Sequence, residues 1–203
     1  MTTGSSVKKA LAVRAVLALA VLALTGCTSA GVSADYDSAG DGDYTSGDGT
    51  TQFYAAENRG DPIVFEGETE NGDRISSDDL AGSIVLVNFW YASCGPCRTE
   101  ADDLNRLYDE YSGQGVEFVG VNIRDDAANA ISFEKEHEVE YASILDVGDA
   151  AVTLAFARPA PPSTTPTTFL LDREGRVAAR FTSAIDPRVD VVASMIDDLL
   201  AEK

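Results

Sequence analysis

Residues Ile84 to Trp90, IVLVNFW, are apolar throughout except for Asn88, and after only Tyr91, Ala92 and Ser93 the chain reads Cys94-Gly95-Pro96-Cys97. An apolar run of that length is expected of a central strand covered on both faces. From Arg98 to Tyr111, the residues Leu104, Leu107, Tyr108 and Tyr111 recur at the spacing of one helical face. A buried strand, a short loop, a cysteine pair and an amphipathic helix therefore follow one another, and the rest of the chain has to be built around them.

The flanking sequence supplies a sheet and its cover. Val116 to Ile123 reads as a second buried strand, Ala127 to Glu138 as a helix, Ala142 to Leu145 as a short strand, and Ala150 to Ala157 as a helix halted by Pro159, Pro161 and Pro162. Thr168 to Asp172 and Arg176 to Thr182 are predicted strands joined by a turn at Arg173-Glu174-Gly175, and Asp190 to Ala201 is an amphipathic closing helix. Upstream, Asn71-Gly72 signals a hairpin between Ile63–Glu68 and Arg74–Ser76. The strand-helix-strand start implies parallel pairing and the last two strands antiparallel pairing. The expected class is α/β, with a central mixed sheet flanked by helices and an N-terminal β-hairpin extension.

The N-terminus reads differently. Lys8, Lys9 and Arg14 precede an apolar run, Ala15 to Leu24, that is short for a membrane span and has the order of an export signal. Leu24-Thr25-Gly26-Cys27 resembles the lipobox of bacterial lipoproteins, which implies cleavage after residue 26, lipidation of Cys27 and tethering at the outer face of the cell membrane. Residues 27–52 are rich in Gly, Ser and Asp and nearly free of aliphatic side chains, so they read as a disordered acidic linker ahead of a folded domain over 53–203. A formal net charge of −19 argues against binding nucleic acid.

With Cys27 assigned to lipid, Cys94 and Cys97 are the remaining cysteines of three. Zinc would need more ligands than this pair and the single histidine, His137, whose setting in EKEHEVE reads as a solvated helix end. No metal and no cofactor is expected. A staple between residues three apart closes too small a loop to constrain the unfolded chain much, so the pair reads as a redox centre that opens and closes. At the start of a helix, Cys94 is expected to be the exposed nucleophile and Cys97 the covered resolving thiol, with Pro96 in the first turn, where its missing N–H costs nothing.

FWYASCGPCRTE, followed about seventy residues later by TTPTTFLLD, resembles the thioredoxin fold and in particular its membrane-anchored TlpA/ResA branch of thiol-disulfide oxidoreductases. The resemblance implies a thioredoxin-like fold and a cis-proline at Pro166, preceded by Thr165, beside the cysteines. Trp90, Gly95, Pro96, Thr165 and Pro166 become candidates for holding a partner's chain, Trp90 reading more as packing beside the site than as catalysis. Where thioredoxins carry a buried aspartate, this chain has Asn88, which cannot exchange a proton. The branch's glutamate is matched by Glu100, on the helical face of Cys97. Glu100 is therefore the candidate manager of the Cys97 proton. Where many relatives have a tryptophan before the first cysteine, this chain has Ser93, a departure that concerns partner choice.

The Gly-Pro dipeptide is that of thioredoxin, whose potential of about −270 mV lies far below the about −120 mV of strong oxidants, and so favours donation of electrons. The resemblance then implies a membrane thiol-electron conductor upstream and oxidised exported proteins downstream, apocytochrome c among them. An oxidant of folding proteins on the same fold stays open. A peroxiredoxin-like peroxidase is disfavoured by Tyr91 standing where a threonine would be needed. A non-enzymatic binding lipoprotein would carry a cysteine pair that never cycles.

Overall fold

The computed structural model describes residues 43–157 and 164–202. The expected signal segment, the lipidation candidate Cys27 and the linker up to residue 42 lie outside them. In chain order the elements are β1 (Tyr44–Thr45), β2 (Thr51–Phe53), β3 (Glu66–Glu68), β4 (Arg74–Ser76), β5 (Ile84–Trp90), α1 (Gly95–Tyr111), β6 (Val116–Asn122), α2 (Ala127–Glu136), β7 (Ser143–Leu145), α3 (Ala151–Phe156), β8 (Thr167–Leu171), β9 (Val177–Thr182) and α4 (Val189–Ala201). Short 3-10 turns lie at Ala56–Asn58 and Asp186–Arg188.

One sheet of seven strands runs in the order β1-β2-β9-β8-β5-β6-β7. Strands β5, β6 and β7 are parallel, because α1 and α2 carry the chain back between them, while β8, β9, β2 and β1 join antiparallel. Every residue of β5 is buried, and successive side chains serve different layers. Ile84 and Leu86 pack with Leu104, Leu107, Phe181 and Ile196 of α1, β9 and α4. Val85, Val87 and Phe89 pack with Val121, Phe156 and Phe169 on the other face. Asn88 has the parity of Leu86, so the one polar residue of the strand is directed to the α1 side.

The predicted hairpin forms as β3 and β4, with Gly72 at φ +83°, a left-handed conformation that glycine adopts without a Cβ clash. Helix α2 stops at Glu136, two residues short of the expected end. His137 caps it through its N–H to the Phe133 carbonyl, and Glu138 at φ +56° cannot continue the helix.

The larger correction concerns the linker expected through Gln52. Its last part is ordered: β1 pairs with β2, and β2 pairs with the edge of β9 in the register Thr51 to Phe181 and Phe53 to Ala179. The reason is that backbone pairing at a sheet edge needs few aliphatic side chains. The turn is held by Asp48, whose carboxylate accepts from Ser46 Oγ at 2.6 Å and from Thr50 N at 3.0 Å; these bonds push its pKa down to about 2. Two rings seat the hairpin, Tyr44 stacked on Phe53 at 5.6 Å and Phe53 edge-on to Phe181 at 5.9 Å.

In β6, between β5 and β7, Gly120 leaves space for Ser143 and Trp90. A Cβ there would overlap Ser143 Oγ and lie 3.0 Å from Trp90 Nε1. Gly120→Ala is therefore expected to cost about 1–3 kcal/mol through overpacking, read as a lower urea midpoint at unchanged slope. An unchanged midpoint would contradict this packing.

Candidate active site

The loop leaving β5 is fixed before it reaches the cysteines. Asp125, just beyond β6, accepts from Ala92 N at 2.6 Å and from Asn122 Nδ2 at 2.9 Å, while Asn122 Oδ1 accepts from the N–H groups of Arg124 and Asp125. The Arg124 guanidinium lies 4.3 Å from the centre of the Tyr91 ring. Sequence reading missed this support, whose only trace is the polar stretch NIRDD at the end of an otherwise apolar strand.

Cys94 is the N-cap of α1, and its Sγ accepts from Cys97 N at 3.1 Å, with Pro96 in the first turn. The two cysteines are joined as a disulfide, Cα to Cα 5.3 Å. Unpaired N–H groups and the positive end of the helix meet at the Cys94 sulfur, the setting that favours a thiolate when the pair is reduced. The expectation of an exposed Cys94 is corrected: its exposure is 2%, against 3% for Cys97. In the disulfide its sulfur is turned inward to Cys97, and the Thr165 carbonyl oxygen lies 3.9 Å above it. The exposed rim consists of Ser93, Gly95 and Pro96.

The Thr165–Pro166 peptide is cis, as the resemblance implies, and Pro166 is buried with its carbonyl accepting from Ser183 N at 3.0 Å. Trp90, expected among the partner-holding residues, is instead internal at 4% exposure. Its ring lies 4.4 Å from Phe133 and its Nε1 donates to Ser143 Oγ at 3.1 Å, which makes it the wall behind the pair.

Glu100 is wholly buried, one turn behind Cys97 on the same helical face. Asn88 Nδ2 donates to its Oε1 at 2.9 Å and to Thr168 Oγ1 at 3.0 Å, and the Ile185 N–H donates to its Oε2 at 3.0 Å. Burial disfavours the charged form more than these two bonds favour it, so the pKa is pushed up to about 7. A cavity of about 10 Å³, the size for one water, touches Cys97 and Asn88 under Trp90 and Tyr141. The fold thus brings together Cys94, Cys97, Asn88, Glu100, Thr165 and Pro166, and puts a carboxyl poised near neutrality behind Cys97.

A second buried acid escaped sequence reading. Glu134 of α2 packs beside Ser143 and Glu70, and desolvation first, then the Glu70 charge, raises its pKa to about 7 despite its bond to Ser143. Glu70 accepts from Ser143 N at 2.8 Å. In the sequence both glutamates look like solvated helix and turn residues. Among the described residues, no cluster of three or more His, Cys, Asp or Glu is arranged to hold a metal ion. His137 is half-buried against Phe133 at 4.4 Å.

Residues 55–196 match the family Redoxin. The thiol-disulfide oxidoreductase ResA of Bacillus subtilis strain 168 is 35% identical over 133 residues, 66% of this chain and 68% of that protein. The ResA of Halalkalibacterium halodurans is 29% identical over 123 residues, 61% of this chain and 67% of its own. Across the curated relatives compared, the chain spans 58% to 68% of their length. Among solved structures, a secreted thiol-disulfide isomerase from Corynebacterium glutamicum superposes with TM-score 0.69 at 29% identity, covering 78% of this chain and 97% of that one. A DsbF homologue from Corynebacterium diphtheriae superposes with TM-score 0.67 at 32% identity, covering 76% and 96%. Both likenesses establish the thioredoxin-like fold.

Glu100 and Glu134 each rise from an ordinary 4.5 to about 7. Between these values the folded chain holds protons that the unfolded chain has lost, so stability falls as pH rises from about 4.5 to 7 and then levels off. Urea unfolding across this window is expected to show about half the slope in Glu100→Gln and almost none in the double variant with Glu134→Gln. Identical slopes in all three proteins would contradict two buried protonated carboxyls.

Proposed function

This chain belongs to the Redoxin family, among the thiol-disulfide oxidoreductases of ResA type, and on that premise we propose that it reduces disulfides of exported proteins at the outer face of the cell membrane. The observation that carries this is the pairing of an N-cap cysteine with a buried carboxyl one turn behind its partner cysteine.

The chemistry follows from the placement. In the reduced protein Cys94 is the thiolate, favoured by the Cys97 N–H and the helix end. It attacks one sulfur of a client disulfide; a Cys94–client bond forms, the client S–S bond breaks, and one client thiolate leaves. Cys97 gives its proton to the Glu100 carboxylate and attacks Cys94 Sγ, so the mixed disulfide breaks, the second client thiolate leaves and the Cys94–Cys97 disulfide closes. The client gains two electrons and, from solvent and from Glu100, two protons. A carboxyl with a pKa near 7 can take and return that proton at neutral pH.

Gly95 and Pro96 of the rim and Thr165 above the Cys94 sulfur are assigned to the client's chain, with Pro166 shaping the loop beneath. Trp90 serves them as packing. Electrons lost to the client are restored by a membrane thiol conductor. Cys27, if lipidated, anchors the domain beside both partners, and the family resemblance points to apocytochrome c as one client. The Gly-Pro dipeptide supports donation. A second reading, oxidation or isomerisation of folding proteins, is favoured by the likeness to the secreted isomerase of Corynebacterium glutamicum.

Equilibration with glutathione tests the direction of transfer. A potential nearer about −270 mV than about −120 mV is expected, and the reverse would contradict the reductase reading. Cys97→Ala is expected to accumulate a mixed disulfide through Cys94 with reducible exported proteins, and Cys94→Ala is not; equal trapping by both would reverse the roles of the two cysteines.

A further inference from the structure

Arg188 is buried, at 5% exposure, and takes part in none of the ion pairs among the described residues. A buried guanidinium is costly unless its N–H groups are bonded, and here they bond oxygens on two sides. Nη1 donates toward Thr50 O at 3.1 Å, Thr50 Oγ1 at 3.0 Å and Thr51 Oγ1 at 2.9 Å, all on the N-terminal hairpin. Nη2 donates toward the end of β9 and the segment that follows, where its acceptors include Thr182 O at 3.3 Å and Ala184 O at 2.7 Å.

The second pair has a particular consequence. The Thr182 carbonyl belongs to the peptide group whose N–H, on Ser183, bonds Pro166 O at 3.0 Å. The Ala184 carbonyl belongs to the peptide group whose N–H, on Ile185, bonds Glu100 Oε2 at 3.0 Å. One guanidinium therefore grips, from behind, the two peptides that hold the proline loop and the buried carboxyl. A peptide whose carbonyl is bonded to a cation donates more strongly through its N–H, so the grip is electronic as well as spatial. Between these peptides Ser183 sits at φ +71°, a conformation that costs a non-glycine residue about 1–2 kcal/mol and persists only where its surroundings hold it.

We propose that Arg188 is a positioning residue for disulfide exchange, tying the hairpin of β1 and β2 to the Thr182–Ile185 segment so that Pro166 and Glu100 are presented to the cysteine pair together. The proposal deepens the reductase reading and rests on its assignment of Glu100. It gives the ordered stretch before residue 53 a role in the site, although no residue of that stretch reaches the cysteines. The groups acting on Glu100 are Asn88 from β5, the Ile185 N–H, Asp186 and Arg188 from the turn before α4, and Tyr141 ahead of β7; Asp48 of the hairpin acts on Arg188. Among these Arg188 is the cation, and it favours the Glu100 carboxylate while Asp186 opposes it.

The test follows the Glu100 carboxyl by carbon-13 NMR and the amide protons of Ser183 and Ile185 by hydrogen exchange, in the full-length oxidised protein. Arg188→Met is expected to raise the Glu100 midpoint by about one pH unit and to speed exchange at both amides at least tenfold. Arg188→Lys, which keeps the charge but cannot span both sides, is expected to restore the midpoint and not the amide protection. If Arg188→Met does not fold, Thr50→Ala combined with Thr51→Ala removes the hairpin side-chain acceptors alone, and faster exchange at both amides is again expected. A folded Arg188→Met with unchanged midpoint and protection, or a double threonine variant with unchanged protection where Arg188→Met is unfolded, overturns the proposal. Loss of the Glu100 role is distinguishable: Glu100→Gln would then exchange disulfides at the wild-type rate while the Arg188 effects on midpoint and amides persisted.

Discussion

A carboxyl group wholly inside the protein, with one oxygen on Asn88 and the other on the Ile185 N–H, sets the terms for everything around it. An ionised carboxylate in such a place is expensive, and two hydrogen bonds recover only part of the cost. Three elements have to agree for Glu100 to be there at all. Strand β5 must offer one polar side chain to the α1 side, α1 must begin at the cysteines so that its second turn faces inward, and the segment after β9 must turn an N–H toward the helix. The sheet order places these elements side by side, and the redox pair falls at their junction.

Around the pair, polar groups are few, and those nearest it are bonded, Asn88 to Glu100 and Thr168, and Trp90 to Ser143. Trp90 is locked by Ser143, and Ser143 is in turn shared between Glu70 and Glu134, so the wall behind the disulfide rests on a second buried acid. The rim is made of small or stiff residues, Ser93, Gly95 and Pro96. That rim lies over two nearly inaccessible cysteines.

Much of this was legible in the sequence because its causes are local. The unbroken run of β5 follows from its burial on both faces, Asn88 and Glu100 stand out through the family resemblance, with helical spacing putting Glu100 on the face of Cys97, and the Cys-Gly-Pro-Cys spacing selects redox chemistry. What stayed hidden depends on contacts distant in sequence. The stretch TSGDGT has the composition of a linker, yet it folds because β9 offers a free edge and Arg188 a cation. Cys94 was expected at the surface because helix starts are exposed, whereas the disulfide and the Thr165 carbonyl cover it. Glu134 and Arg188 look like surface charges on amphipathic elements, and no periodicity marks the Ser143 donor beside the one or the acceptors around the other.

Linkage between the protonation of Glu100 and the redox state of Cys94 and Cys97 is tested most directly by the potential measured against pH. Two-electron reduction follows about 30 mV per pH unit for each proton taken up, so a reduced pair held as Cys94 thiolate and Cys97 thiol gives about 30 mV, and any further proton linked to reduction adds to it. If the carboxyl takes part, the wild-type line is predicted to change slope near pH 7, where Glu100 changes charge, and the line for Glu100→Gln to lack that change. Superimposable lines for the two proteins between pH 5 and pH 8, the range that brackets the Glu100 midpoint, would show that the buried carboxyl is a structural neighbour of the pair and no partner in its chemistry.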